Sequence, residues 1–282
     1  MVYGHPLPND RHQQPSLLYQ RLKDSIRRIT IWIKVSRGLT IIRALALDNL
    51  AVVVVVSHFQ CFNRRVLAGL PWRDILYLVQ SVMSHSGCLR YGHFSANDIK
   101  RTDISRPPLA HGWRLISHWG KYEDLSEIFF YDMPTAAAGK YHLMRPERAL
   151  PTTVTAAMII SWYIRVRDER YPDHPLLFPG MPPLSRRKTI YTTWLRNTIT
   201  AAIPVFPAKF LRKVRPHGWR AGWVCDRRKD GTPDGTTMRE GRWSSKQAMG
   251  LYARTAFSVV CPVSTILYRQ RQAQPAQLLR RR

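Results

Sequence analysis

Gly241-Arg242-Trp243-Ser244-Ser245-Lys246-Gln247-Ala248-Met249-Gly250-Leu251-Tyr252-Ala253-Arg254 is the stretch on which the reading of this chain turns. Ser244 followed three residues later by Gln247 has the form of a capping box, so a helix is expected to begin here. Met249, Tyr252 and Ala256 then fall on one helical face. A tyrosine on such a face ordinarily belongs to a core or an interface, because its ring is apolar and its hydroxyl can find a partner. Its other use is as a nucleophile. With an unperturbed pKa of about 10, a phenol needs neighbouring cations to favour its anion. Arg90, Arg220 and Arg254 are the candidates to supply that field.

Working backwards, Pro216-His217-Gly218-Trp219-Arg220 reads as a helix start. Spaced three apart, His217 and Arg220 share a face of its first turn. The free N–H groups and the positive end of the helix dipole point the same way, so a phosphate would meet a guanidinium, an imidazole and amide donors together. Alone, H-x-x-R in a basic chain is most often a surface pair. Further back stands Gly87-Cys88-Leu89-Arg90-Tyr91-Gly92-His93, where a second short helical start is expected to carry residues 88–90.

Between and before these boxes the pattern is mostly helical. Pro71 opens a helix with Trp72, Ile75, Leu76, Val79 and Met83 on one face, ended by Gly87. Residues 152–167 and 189–203 read as two more helices, the first with a stripe at Val154, Met158, Trp162 and Ile164. Residues 128–131 read as a strand, 138–139 as a turn and 141–143 as a returning strand. Five prolines, at 172, 175, 179, 182 and 183, make 171–183 a loop. Residues 17–35 read as an amphipathic basic helix, and the valine run at 51–56 as a buried β-prone segment. That run is too short for the ~20 apolar residues of a membrane span. The expected class is mainly α with a small antiparallel β-sheet, an α+β fold.

Charge narrows the partner. The 282 residues hold 44 Lys/Arg against 18 Asp/Glu, a formal net charge of +26. Such an excess points to a polyanion, and to nucleic acid before a membrane surface. Carboxylates this scarce disfavour a two-metal nuclease, which needs several at one site. Apolar residues at 45% rule out a wholly disordered chain. The four cysteines lie far apart without C-x-x-C spacing, so neither a disulfide framework nor a zinc site is expected. With no secretory signal in the polar opening residues, a reducing compartment is expected, nuclear in a eukaryote and cytoplasmic in a prokaryote.

In this order and spacing the three boxes resemble the tyrosine recombinase (phage integrase-type) family. Its pattern is an Arg in a G-L-R box, a distant H-x-x-R, then a His or Trp nine residues before a nucleophilic Tyr. Here Trp243 precedes Tyr252 by nine positions and Arg220 precedes it by 32. Leu176-Leu177-Phe178-Pro179 resembles the family's LF segment. The likeness covers roughly residues 61–260. It implies an N-terminal basic segment at 1–60, placed as a truncated core-binding domain, a catalytic domain at 61–262 and a basic tail at 263–282. Two positions depart from the family pattern. His93 stands where the family has an acidic residue, and the family's hairpin lysine is matched only by Lys140, with Lys121 a poorer match.

The resemblance implies chemistry without metal or other cofactor. Tyr252 would attack a DNA phosphate to give a 3′-phosphotyrosine and a free 5′-hydroxyl, and another strand's 5′-hydroxyl would reverse the step. Arg90 and Arg220 would hold the nonbridging oxygens, with His217 and Trp243 as further donors and Lys140 as the acid for the leaving oxygen. Double-stranded DNA is the implied partner, and a homotetramer on DNA is left open. Arg212, Lys213, Arg215, Arg227, Arg228, Lys229 and Arg242 are candidate contacts to its backbone, and such binding falls steeply with salt. A type IB topoisomerase and a catalytically inactive, DNA-binding relic of a mobile element are the competing readings.

Overall fold

The computed structural model describes residues 44–95, 99–106, 112–118, 125–131, 154–243, 245–252 and 255–261, with backbone alone at 95, 117–118 and 125–131. The basic helix expected at 17–35, the turn and strand at 138–143, Lys121, Lys140, Ser244, Arg254 and the tail at 263–282 lie outside these. The described chain is mainly helical with one small antiparallel sheet. Its order is α1 (Asn49–His58), α2 (Arg64–Gly69), α3 (Trp72–Ser86), α4 (Gly92–Ser95), β1 (Ile104–Ser105), β2 (Gly112–His118) and β3 (Leu125–Tyr131). Then follow α5 (Ala156–Arg170), α6 (Leu184–Ala202), α7 (Ala208–Leu211), α8 (Gly218–Lys229), α9 (Asp234–Glu240), α10 (Lys246–Gly250) and α11 (Phe257–Val260).

Helix α3 forms where the periodicity places it, with Pro71 as N-cap and Gly87 as C-cap. It is buried from Ile75 to Ser86, so it runs through the middle of the molecule and packs against α1, α5, α6 and α8. The expected helix at 152–167 begins later, at Ala156. The Thr155 hydroxyl accepts from the Met158 N–H at 3.1 Å and so fixes the start. Its buried face is Ile159, Ile160, Tyr163 and Ile164, while Met158 and Trp162 are only half-buried. The apolar stripe is therefore rotated by about one residue from the expected one.

The valine run is helical, not extended. Ala51, Val52 and Val54 to Val56 are all buried in α1. A helix apolar on every side belongs inside a core, and burial outweighs the modest β preference of valine. Residues 44–60 thus share one core with 61–261, although composition sets them apart.

The sheet is a hairpin with a short third strand. β2 pairs antiparallel with β3, from Gly112 opposite Tyr131 to His118 opposite Leu125, and β1 adds Ile104 opposite Leu115. The strand expected at 128–131 therefore pairs upstream, with a strand at 112–118 that the residue pattern did not mark. The proline-rich loop is pinned to the core at its middle. The Leu177 N–H donates to the Ile99 carbonyl at 2.7 Å, and the buried Arg167 donates to the carbonyls of His174 and Leu176. Leu177 and Phe178 are buried there.

Residues 44–48 form an extended backing strip between the start of α8 and residues 255–257. The Leu47 N–H donates to the Gly218 carbonyl at 2.9 Å and the Ala46 N–H to the Thr255 carbonyl at 3.0 Å, while the Phe257 N–H returns to the Ala46 carbonyl at 2.7 Å. α8 can lie this close because Gly222 has no side chain; a Cβ there would overlap the Leu47 carbonyl. The buried Asp48 carboxylate then ties the strip to Lys229 at 2.8 Å and to Ser258. Asp226 accepts from the Asn49 N–H at 2.8 Å and lies 2.8 Å from His85 Nε2, joining α8 to α1 and α3.

Candidate functional site

His217 is the N-cap of α8 and Arg220 its third residue, so both belong to the opening turn, as the H-x-x-R spacing requires. Tyr252 does not sit on a long helix. α10 ends at Gly250, and Tyr252 lies in the turn beyond, its N–H donating to the Met249 carbonyl at 2.9 Å. The cap is Ser245, whose hydroxyl accepts from the Ala248 N–H at 3.1 Å; the Ser244 of the expected box lies outside the described residues. The segment around Arg90 is likewise not a helical start. Cys88 stands in the left-handed region at φ 51°, and α4 begins only at Gly92.

These pieces meet. The ring of Tyr252 lies 5.1 Å from that of His217 and 5.1 Å from that of Trp243, the second pair edge to face. The Arg220 guanidinium lies over Trp243 at 4.0 Å and over Tyr252 at 5.6 Å. Arg220 is 3% exposed, and two of its nitrogens donate to the carbonyls of Cys88 and Gly241, each at 2.5 Å. It therefore bridges the box that carries Arg90 and the segment that carries Trp243. Gly241 permits this arrangement, because a Cβ there would overlap the Trp243 ring. Cys88, Trp243, Met249, Tyr252 and Ala256 belong to one buried cluster, separate from the main core.

The electrostatics are one-sided. Arg90, Arg220 and Arg242 all act on the buried His93, whose pKa is pushed down to about 3 by burial first and then by Arg242, Arg220 and Arg90. His93 is thus a neutral imidazole at neutral pH. Burial pushes the Cys88 thiol up, against the opposing pull of Arg220, Arg242, Arg227 and Arg90. Among the described residues, no carboxylate pairs with Arg220 or Arg242. Arg220 Nε and Trp243 Nε1 are buried and lack an acceptor among the described residues. Two buried N–H donors in a cluster of cations are costly unless an acceptor arrives, and an anion's oxygens are suited to the role.

The proposed backbone contacts divide. Arg212, Arg215 and Arg228 are exposed and Lys213 is half-buried beside the Phe210 ring. Arg227 is a correction. It is 2% exposed, paired to the Glu240 carboxylate and stacked 5.1 Å over Trp223, so it holds α8 to α9 instead of facing solvent. Lys229 is half-exposed, but its ammonium is engaged by Asp48 and Ser258. Arg242 is half-buried and donates to the Gly87 and Cys88 carbonyls at 2.7 and 3.3 Å.

Sequence reasoning did not find the parts supplied by the main chain. The carbonyls of Cys88 and Gly241 carry no side-chain signature, and the left-handed backbone of Arg242, φ 57°, has none outside glycine. Among the described residues, no helix is long and apolar enough to cross a membrane, and no group of His, Cys, Asp and Glu could hold a metal ion. Compared with known proteins, the chain matches no protein-family model and no curated protein sequence.

Proposed function

We propose that this chain is a DNA strand transferase of the tyrosine recombinase kind, its fold that family's catalytic domain and Tyr252 its nucleophile. One observation carries the reading. A phenol and an indole from one stretch of sequence lie against an imidazole and a guanidinium from another, and Arg220 Nε and Trp243 Nε1 are buried N–H donors that lack an acceptor among the described residues. A phosphodiester supplies the missing oxygens.

In the reaction the Tyr252 hydroxyl oxygen attacks phosphorus and the bond to the 5′ oxygen breaks. A 3′-phosphotyrosine forms, and the departing 5′ oxygen takes up a proton. A 5′-hydroxyl from a second strand then attacks the phosphotyrosine and frees the phenol, so the number of phosphoester bonds is conserved. Negative charge on the nonbridging oxygens is met by Arg220, Arg90 and the Trp243 N–H. Removing one such donor typically slows a reaction about 10²–10³-fold. His217, whose ring lies 5.1 Å from that of Tyr252, takes the role of moving a proton at the phenol in this reading. Lys140 keeps the role of acid that the resemblance assigns it.

The test is a pool of duplexes of randomised sequence, each carrying a nick that lets the cut fragment diffuse away. Wild-type protein should accumulate a covalent DNA adduct, and Tyr252→Phe should form none. His93, neutral among arginines, favours a second reading, a catalytically silent DNA-binding protein. Salt-sensitive DNA binding without any adduct would support that alternative. An adduct accompanied by plasmid relaxation, with no exchanged strands, would point to a topoisomerase.

A further inference from the structure

Arg242 is held in a way that a surface phosphate contact is not. Its backbone is left-handed at φ 57°, a conformation that favours glycine and is strained for other residues. Its side chain reaches the Gly87 carbonyl at 2.7 Å and the Cys88 carbonyl at 3.3 Å, 154 to 155 positions away in sequence. Cys88 is itself left-handed at φ 51°, and its carbonyl also accepts from Arg220 at 2.5 Å. Two left-handed residues 154 positions apart, Cys88 and Arg242, are thus joined by the Arg242 guanidinium, and Arg220 joins Cys88 to Gly241, the neighbour of Arg242. Arg90 lies two residues beyond one end of the tie. Trp243 lies one residue beyond the other, and its ring packs on Tyr252.

We propose that Arg242 is a positioning residue, a latch that joins the main chain of the Arg90 box to the segment carrying Trp243 and Tyr252. It acts through the carbonyls it binds and sets the distance between the phosphate-holding arginine and the nucleophile. The inference deepens the strand-transfer reading and rests on it for its effect on rate. The latch itself can be measured without any reaction.

The experiment uses the full chain and Arg242→Gly. Glycine accepts φ near 57° and removes only the side chain, so the backbone strain is relieved while the latch is lost. Three quantities are read: the single-turnover adduct rate at saturating DNA, the DNA affinity across a salt series, and hydrogen exchange at the Cys88, Leu89 and His93 amides. These amides donate to the carbonyls of His85, Ser84 and Arg90.

The adduct rate should fall about 10- to 100-fold, as misplaced reacting groups do. Affinity and its salt slope should stay unchanged, and the three amides should exchange roughly tenfold faster. Arg242→Lys, which keeps the charge but reaches only one carbonyl, should fall between the two and serves as the variant if Arg242→Gly does not fold. Unchanged exchange overturns the latch. So does a salt slope reduced by about one with exchange unaltered, which would make Arg242 an ordinary phosphate contact. If wild-type protein forms no adduct, the strand-transfer reading fails, while the exchange measurement still decides the latch.

Discussion

Arg220→Lys separates the two things that Arg220 does. The guanidinium spans two carbonyls, Cys88 and Gly241, at 2.5 Å each, and lies over Trp243 at 4.0 Å. An ammonium is a single point with no fork, so it can keep one of the two bonds but not both. A hydrogen bond from a charged donor contributes about 1.5–3 kcal/mol net. Losing one, together with part of the stacking on Trp243, should lower stability by about 2–3 kcal/mol. The readout is urea unfolding followed by tryptophan fluorescence. The substitution also withdraws a planar donor from the phosphate, so the single-turnover adduct rate should fall about 100-fold. Two outcomes would refute the reasoning. An unchanged urea midpoint would show that the bridge contributes nothing, and an adduct rate within about threefold of wild type would remove Arg220 from the site.

Gly222→Ala pushes a methyl group into the Leu47 carbonyl, so it should destabilise the protein by about 3 kcal/mol in urea unfolding; a neutral result would contradict the close approach of the 44–48 strip. His93 titrates near 6.5 in the unfolded chain and near 3 when folded. Between those values the unfolded chain binds a proton that the folded chain does not, so stability falls as pH drops, at up to about 1.4 kcal/mol per pH unit. The unfolding free energy from urea titrations should therefore drop, from pH 7 to pH 4, about 2–3 kcal/mol further in wild type than in His93→Gln, and parallel curves would count against a buried neutral imidazole. His58, lowered by burial, acts in the same direction in both proteins and cancels. Arg227→Ala removes the partner of the half-buried Glu240 carboxylate and should cost about 2 kcal/mol. Arg228→Ala should leave stability alone and reduce the salt slope of DNA binding by about one. An exchange of these two phenotypes would reverse the assignment of buried and exposed arginine.

Helix Trp72–Ser86 was readable because its apolar period, its opening proline and its closing glycine agree. The helix that carries His217 and Arg220 was readable for a similar reason, a proline one residue before a short spaced pair. The valine run was misread as β-prone because side-chain preference is weak beside burial, and burial depends on what α3, α6, α8 and α11 bring to α1. Arg227 resembles its neighbours in the basic run, and only the fold reveals Glu240 facing it. Within the site, the side chains had a legible spacing. Their supports did not: the Cys88 and Gly241 carbonyls, the left-handed turn at Arg242 and the 44–48 strip behind α8 are main-chain features set by long-range contact.

The most direct measurement is to digest protein trapped on nicked DNA and locate the modified residue by peptide mass spectrometry. The account predicts a nucleotide joined through a 3′-phosphate to the hydroxyl of Tyr252 alone. An adduct on any other residue, or efficient cleavage that persists in Tyr252→Phe, would contradict it.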